Sequence, residues 1–169
     1  DGKQEFLDKD GNFYTENLRS AKCEIEVTSN GVEQVYKPHF SFQGFRFIKL
    51  IGFNDDEIKL ENFTAVVVFS DMKRTGFFAC GHEDIQQLYE NIVWGQRGNF
   101  LDIPTDCPQR DERMGWTGDA QIFFETANYL FDYAAFSQKY LRDVYDWQRP
   151  SGRLPQSDNI SGAGKKQTA

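Results

Sequence analysis

One segment of this sequence, residues 99–119, concentrates the side chains whose types and spacing could support chemistry. It contains five carboxylates, two arginines, two prolines, two glycines and one tryptophan. Pro104 and Pro108 are incompatible with a continuous helix, because proline lacks a backbone N–H and its ring clashes with the preceding turn. Asp106 lies between them and is therefore predicted to sit on a constrained loop.

After the prolines, the sequence permits helical spacing. Glu112, Trp116 and Asp119 would then lie on one face, at positions i, i+4 and i+7. These residue types suit glycoside hydrolysis, in which a carboxylic acid protonates the glycosidic oxygen. Other carboxylates accept hydrogen bonds from sugar hydroxyls, and tryptophan offers an apolar face to a pyranose. Crowding of carboxylates raises the pKa of one of them, because like charges disfavour ionisation.

Residue chemistry alone leaves other interpretations of this segment open. Mixed acidic and basic side chains in a loop usually form a solvated surface with weak ion pairs. Asp119 could simply cap the next helix, and Trp116 could belong to the core. Arg110 and Arg113 could neutralise the acids, and they also argue against a metal site built from the carboxylates.

The composition excludes several classes of partner. The 169 residues carry a net charge of −7, whereas surfaces that bind nucleic acid or anionic membranes are normally basic. No apolar run is long enough to span a membrane. Three widely spaced cysteines and two histidines predict neither a zinc site nor a disulfide framework. We therefore expect a neutral substrate, no metal and no cofactor.

The first part of the chain has the patterns of β-structure. Residues 23–27 alternate apolar and charged side chains, and Asn30-Gly31 then suits a hairpin turn before a return strand at 32–36. Residues 45–53 also alternate, and residues 65–69 are continuously apolar, as in a strand buried on both sides. Together these segments predict an antiparallel sandwich.

The apolar period changes near residues 71–76, and three helices are predicted at about 82–97, 119–131 and 134–148. The first has an apolar stripe, and the second is apolar nearly all round and therefore expected to be buried. Asp132 is placed to cap the third. The stripes of the first and third helices comprise Ile85, Leu88, Tyr89 and Ile92, and Phe136, Tyr140, Val144 and Trp147. The predicted fold class is α+β.

The run IPTDCPQRDERMGWTGDAQ at residues 103–121 resembles the signature of the bacterial α-L-rhamnosidase family of inverting glycoside hydrolases. Residues 13–22 and 38–47 resemble the β-sandwich domain that precedes the catalytic barrel of that family. Residues 143–155 resemble its early barrel helices. The resemblance implies a sandwich part at 1–75 and the first helices of an incomplete six-hairpin α/α barrel at 76–156. Residues 157–169 lie outside the resemblance, and their polar composition with glycine and lysine predicts a flexible tail.

The family resemblance also implies roles for individual residues. Glu112 matches the general acid, while Asp106, Trp116 and Asp119 match residues that line the rhamnose subsite, and Arg110 is a further candidate there. In the family the general base is a glutamate on a later barrel segment, which is expected beyond residue 169. The implied substrate is a glycoside or polysaccharide that contains rhamnose.

Two other functions remain open on the sequence. One is a carbohydrate-binding or structural sandwich module that does no chemistry, and the other is an inverting glycosidase for another neutral deoxy sugar. The chain begins without Met, as if cut from a longer protein, so the compartment can be periplasmic, secreted or cytoplasmic. We expect the isolated 169 residues to be inactive and, because the barrel is incomplete, to self-associate.

Overall fold

The structure is a computed structural model that describes residues 7–54 and 56–154 and the backbone of residues 157–158. The chain is of the α+β class. It forms two compact units, the first made of residues 1–67 and 109–111 and the second of residues 68–108 and 112–169. The predicted tail lies outside the described residues, apart from residues 157–158.

The first unit contains little regular secondary structure. Its described residues form two short 3-10 helices, Glu16–Leu18 and Leu60–Asn62, and an isolated antiparallel bridge between Leu7 and Phe13. The strands predicted at 23–27, 32–36, 45–53 and 65–69 are not present among the residues that the structure describes, so this prediction is wrong for the chain as described.

Missing partners explain the absence of strands. An alternating segment becomes a β-strand only when a neighbour satisfies its backbone N–H and C=O groups, and the described part of this unit offers none. Val35 and Ile51 are accordingly 98% and 80% exposed. The local turn chemistry survives, because Gly31 has a φ of 82° and the Val32 N–H donates to Asn30 Oδ1 at 3.2 Å.

The described residues of the second unit form three helices and four short strands. In chain order they are α1 (Glu83–Asn99), β1 (Phe100–Leu101), β2 (Ile103–Pro104), β3 (Gly115–Trp116), α2 (Thr117–Leu130), α3 (Ala134–Asp146) and β4 (Ser157–Asp158). β1 pairs with β2 and β3 pairs with β4, both antiparallel. All three predicted helices are confirmed, with ends that differ from the predicted ones by about two residues.

Only the C-terminal half of α1 packs against the core. Val93 and Gln96 are both 1% exposed, whereas the first two residues of the predicted stripe, Ile85 and Leu88, are exposed. The predicted stripe is therefore wrong at its N-terminal end. Periodicity identifies a helix face, but it does not show how far along the helix a packing partner extends.

The core of the second unit is aromatic. The rings of Phe100 and Phe136 stack with centroids 4.8 Å apart and planes 5° apart. Phe131, at the end of α2, is also buried. Ile122 and Tyr129 of the same helix are exposed, so the prediction that α2 is buried all round is wrong. Only one face of this helix contacts the core.

α3 buries the predicted stripe formed by Phe136, Tyr140 and Val144, but leaves Trp147 exposed. The residue that precedes α3 is Tyr133, and no side chain caps the helix. The predicted cap by Asp132 is wrong, because Asp132 lies one residue before the N-cap position. Its backbone N–H donates to the Lys73 carbonyl at 2.8 Å. Within the described residues, no helix is both long and apolar enough to cross a membrane.

Candidate active site

The loop that carries most of the candidate residues connects β2 to β3. Glu112 lies in this loop, Trp116 ends β3, and Asp119 lies in the first turn of α2. The predicted common helical face of these three residues is therefore wrong. Trp116 has extended dihedral angles and pairs with β4, and α2 begins only after it.

The loop brings Glu112 close to Asp106. Both side chains are half-buried, and one ligand atom of each lies within 4.8 Å of the other and of the buried Cys107 Sγ. The Met114 N–H donates to Asp106 Oδ1 at 3.2 Å, so the loop folds back on its own carboxylate. The sequence separates these two acids by six residues, and the loop geometry makes them neighbours.

This separation limits what the two carboxyl groups can do together. An inverting glycosidase needs an acid and a base about 6.5–9.5 Å apart with a water between them, and a retaining enzyme needs a pair about 5–5.5 Å apart. One carboxyl oxygen of Asp106 lies within 4.8 Å of one of Glu112, which leaves less room for a water than an inverting pair needs. Asp106 is therefore not placed as the base that partners Glu112.

Asp111 precedes Glu112 but belongs to the first unit, with Arg110. The Ser20 hydroxyl donates a hydrogen bond to Asp111 Oδ2, and this bond is the main cause that lowers the pKa of Asp111. Asp111 is fully exposed and stays ionised at neutral pH. It is consequently unsuited to act as a proton donor. Arg110 is half-buried in the same unit.

A cavity of about 580 Å³ lies within the second unit, between α1, β2 and the start of α2. Asp106 and Asp119 both line it, whereas Glu112 and Trp116 are not among its lining residues. Its other lining residues are apolar or uncharged, and they include Ile92, Gln96, Asn99, Phe100, Pro104, Thr105, Ile122 and Phe123. The size and the mixture of apolar walls with a few polar groups are typical of a small-molecule site.

α3 is hydrogen-bonded to the strand that carries Trp116. The buried Tyr140 hydroxyl donates to the Gly115 carbonyl at 3.0 Å, which ties β3 and its Trp116 to α3. The Trp116 ring is half-buried, and its indole Nε1 is buried without a hydrogen-bond partner among the described residues. The sequence pattern predicted Tyr140 only as a core residue, because a hydroxyl contact across 25 residues leaves no periodic signal.

Asp106, Cys107 and Glu112 are the side chains of the described part that could jointly approach a cation. Two hard carboxylates and one soft thiol are a mixed donor set, which no common structural metal prefers. Such a cluster does not by itself define a metal site. The expectation of no metal stays a prediction.

Sequence reasoning missed Gln96. It continues the buried face of α1 at i+4 from Ile92 and i+3 from Val93, yet it is polar. Neither its side-chain oxygen nor its side-chain nitrogen has a hydrogen-bond partner in the described part of the chain. A polar residue in an otherwise apolar stripe was the available signal.

Two family models match the chain, and together they cover most of it. Residues 3–69 match the bacterial alpha-L-rhamnosidase concanavalin-like domain, and residues 73–168 match the bacterial alpha-L-rhamnosidase 6 hairpin glycosidase domain. The second match covers more than half of the sequence and includes all the elements of the second unit from α1 onward. It therefore establishes the family.

Individual proteins show the same relationship. An alpha-L-rhamnosidase of Formosa agariphila is 44% identical over 155 residues, which is 89% of this chain and 16% of that protein. The structure of an alpha-L-rhamnosidase from Aspergillus terreus superposes with a TM-score of 0.78 at 43% identity, over 89% of this chain and 18% of that one. A structure of the Streptomyces avermitilis enzyme complexed with L-rhamnose has a TM-score of 0.53 at 42% identity, over 53% of this chain and 9% of that one.

The helical unit and its acidic loop fall within the match to the six-hairpin glycosidase domain. The chain belongs to the bacterial α-L-rhamnosidase family. It spans 14–16% of the length of the curated relatives that it matches.

Proposed function

We propose that the whole protein is a glycoside hydrolase that removes terminal α-L-rhamnose with inversion, and that Glu112 is its general acid. The observation that carries the proposal is the position of Glu112, half-buried beside Asp106 in a loop of the six-hairpin domain. A carboxylic acid positioned in this way can donate its proton to the glycosidic oxygen as the glycosidic bond breaks.

The remaining candidate residues are proposed to bind the sugar. Asp106 and Asp119 line one cavity and can accept hydrogen bonds from sugar hydroxyls. Trp116 can offer its ring to the apolar face of the pyranose, and Arg110 can contribute a donor to the same subsite. The substrate would be a glycoside or polysaccharide with a terminal rhamnose, and no cofactor is required for this chemistry.

Two parts of the proposal concern the protein outside the acidic loop. The general base is proposed to lie outside the acidic loop, because Asp106 is too close to Glu112 to serve. Residues 1–75 are proposed to form part of an antiparallel sandwich, in line with the concanavalin-like match, and residues 76–156 to begin an α/α barrel.

The reaction itself provides the test. The whole enzyme is incubated with 4-nitrophenyl α-L-rhamnoside, and the first-formed anomer of rhamnose is identified by proton NMR. We expect the β anomer, which indicates inversion. Appearance of the α anomer would overturn the mechanism, and a complete lack of turnover would favour the alternative of a non-catalytic carbohydrate-binding module.

Substrate identity needs a parallel measurement. Aryl glycosides of L-fucose, a second neutral deoxy sugar, and of glucuronic acid are compared with the rhamnoside at equal concentration. We expect a kcat/KM at least about 100-fold higher for the rhamnoside, since wrongly placed hydroxyls leave buried polar groups unpaired. A preference for the fucoside would support the other alternative, a glycosidase for a different deoxy sugar.

A further inference from the structure

The burial of the polar side chain of Gln96 costs free energy, and the proposed roles of Asp106 and Asp119 do not explain it. Gln96 is 1% exposed, and its side-chain oxygen and nitrogen are both buried without a hydrogen-bond partner among the described residues. Such a side-chain amide normally makes several hydrogen bonds, because it offers two N–H donors and an acceptor oxygen. Burying it unpaired is unfavourable.

Gln96 lies in the wall of the candidate ligand site. Gln96 belongs to the wall of the cavity of about 580 Å³ that Asp106 and Asp119 also line. The surfaces near it are apolar and come from Ile92 and Phe100. An amide among apolar walls, in the same cavity as two carboxylates, matches the usual composition of a sugar-sized pocket.

We propose that Gln96 is a sugar-binding residue, whose carboxamide turns into this cavity and hydrogen-bonds adjacent hydroxyl groups of the bound deoxy sugar. The inference rests on the proposed function. The amide oxygen accepts from one hydroxyl while the amide nitrogen donates to its neighbour, so that a vicinal diol satisfies both ends of the group. The terminal torsion of glutamine is soft, so the amide oxygen and nitrogen can adjust their directions to the two hydroxyls.

Sugar binding would explain why Gln96 is polar while the rest of the buried face of α1 is apolar. If this buried position, next to Val93, had only a structural role, leucine or methionine would be favoured, because neither leaves a polar atom unpaired. A glutamine there is advantageous when a ligand completes its hydrogen bonds. Sugars that lack one of the two hydroxyls would leave one end of the amide unpaired and bind more weakly.

The test uses the whole enzyme and compares Gln96→Met with Gln87→Met. Methionine keeps the length of the side chain and removes the amide, and Gln87 is an exposed glutamine of the same helix, hydrogen-bonded to Asn91. Inhibition constants are measured for L-rhamnose and for its 2-, 3- and 4-deoxy analogues. We expect Gln96→Met to weaken L-rhamnose binding about 10-fold, and Gln87→Met to leave it unchanged.

The deoxy analogues distinguish contact from packing. If the amide touches two hydroxyls, the loss caused by Gln96→Met should be smaller for the analogues that lack either of them than for L-rhamnose. Equal losses for all four ligands, or a lower Tm with unchanged inhibition constants, would overturn the proposal and assign the residue to packing. Should the methionine variant not fold, Gln96→Asn, which withdraws the amide by one methylene, is measured with the same four ligands. Unchanged inhibition constants would then also overturn the proposal.

Failure of the inference is separable from failure of the proposed function. A wild-type enzyme that cleaves α-L-rhamnosides while the Gln96 variants bind every ligand normally contradicts the inference alone. A wild-type enzyme that neither binds nor cleaves rhamnosides contradicts the proposed function, and the inference with it.

Discussion

A single carboxylic acid carries most of the proposed chemistry. Glu112 is neither fully buried nor freely exposed, and a carboxylate oxygen of Asp106 lies within 4.8 Å of one of its own. The adjacent Asp111 is exposed and keeps its charge through the hydrogen bond from Ser20. Two consecutive acids therefore have different environments, since Asp111 is exposed whereas Glu112 is half-buried beside a second carboxylate.

The first prediction concerns proton transfer by Glu112. In the whole enzyme, Glu112→Gln should lower kcat about 100- to 10,000-fold for an alkyl or flavonoid rhamnoside, because the leaving alcohol must be protonated. With an activated aryl leaving group, which needs little protonation, the loss should be much smaller. Steady-state kinetics on the two substrates measure the difference.

Glu125→Gln is the control for this prediction. Glu125 is an exposed residue of α2 whose carboxylate accepts a hydrogen bond from the Tyr129 hydroxyl, and a glutamine oxygen can accept it as well. The Glu125→Gln variant should have nearly wild-type kinetics on both substrates. Equal losses of Glu112→Gln on both substrates would assign Glu112 to binding instead of acid catalysis.

The second prediction is that Trp116 and Asp119 bind the sugar without transferring a proton. Trp116→Ala and Asp119→Ala should each weaken rhamnose binding about 10-fold, through lost apolar contact and lost hydrogen bonds respectively. The inhibition constant of free L-rhamnose measures this binding without contributions from chemistry.

Each of these variants has a matched control. Asp84→Ala removes an exposed acid from the first turn of α1, as Asp119→Ala does from α2, so both lose the same favourable interaction with the helix dipole. Trp147→Ala removes a half-exposed tryptophan outside the site. Unchanged rhamnose binding in both Trp116→Ala and Asp119→Ala, with the fold intact, would show that the subsite assignment is wrong.

The elements of the second unit are held by a segment with no regular structure, residues 72–76. Thr75 and Gly76 both donate their N–H groups to the Leu130 carbonyl at 3.0 Å. The Arg74 guanidinium donates to the Gly76 carbonyl at 2.8 Å and to the Tyr89 hydroxyl at 2.6 Å. This segment thereby joins the end of α2 to the middle of α1.

The third prediction follows from the closeness of this segment to α2. A Cβ atom added at Gly76 would lie 1.8 Å from the Tyr129 carbonyl oxygen, a backbone atom that cannot move aside without displacing the helix. Gly76→Ala should therefore lower the free energy of unfolding by about 3 kcal/mol or more. Thermal or urea unfolding of the two variants, Gly76→Ala and Gly98→Ala, measures the effect.

Gly98→Ala is a useful comparison, because a Cβ at Gly98 meets no atom within 4 Å and the residue lies inside α1. Alanine has the higher helix propensity, so this variant should be unchanged or up to about 1 kcal/mol more stable. Similar stability of both variants would contradict the packing of residues 72–76 against α2.

Large apolar side chains remain exposed on the described helices of the second unit. They include Ile85, Leu88, Trp94, Ile122, Tyr129, Leu141 and Tyr145. The stripe of α3 contributes little to this surface, because Phe136, Tyr140 and Val144 are buried. Exposed apolar surface on several helices favours association with another surface.

The last prediction concerns the 169 residues by themselves. We expect them not to hydrolyse 4-nitrophenyl α-L-rhamnoside, since no described carboxylate is identified as the base that Glu112 requires. We also expect them to self-associate through the exposed apolar side chains. Activity assays and the mass in solution by light scattering test the two halves separately. Turnover at the rate of the whole enzyme would contradict the first half, and a monomeric mass at high concentration the second.

Local and near-local interactions made part of this structure predictable from sequence. The three helices follow from an apolar period of 3.6 residues, and backbone hydrogen bonds within each helix need no distant partner. The family also follows from one continuous run, residues 103–121, which carries Asp106, Glu112, Trp116 and Asp119 together. The turn at Asn30-Gly31 is a third example, because glycine supplies the positive φ whatever surrounds it.

Contacts between distant residues decided the rest. A strand exists only where a second segment supplies its hydrogen bonds, so alternation at residues 23–27 could not ensure one. The buried length of α1, the orphaned amide of Gln96 and the approach of Asp106 to Glu112 all depend on which surfaces meet in three dimensions. Periodicity specifies the face that a helix turns toward a core, whereas only the packed structure determines what lies opposite that face.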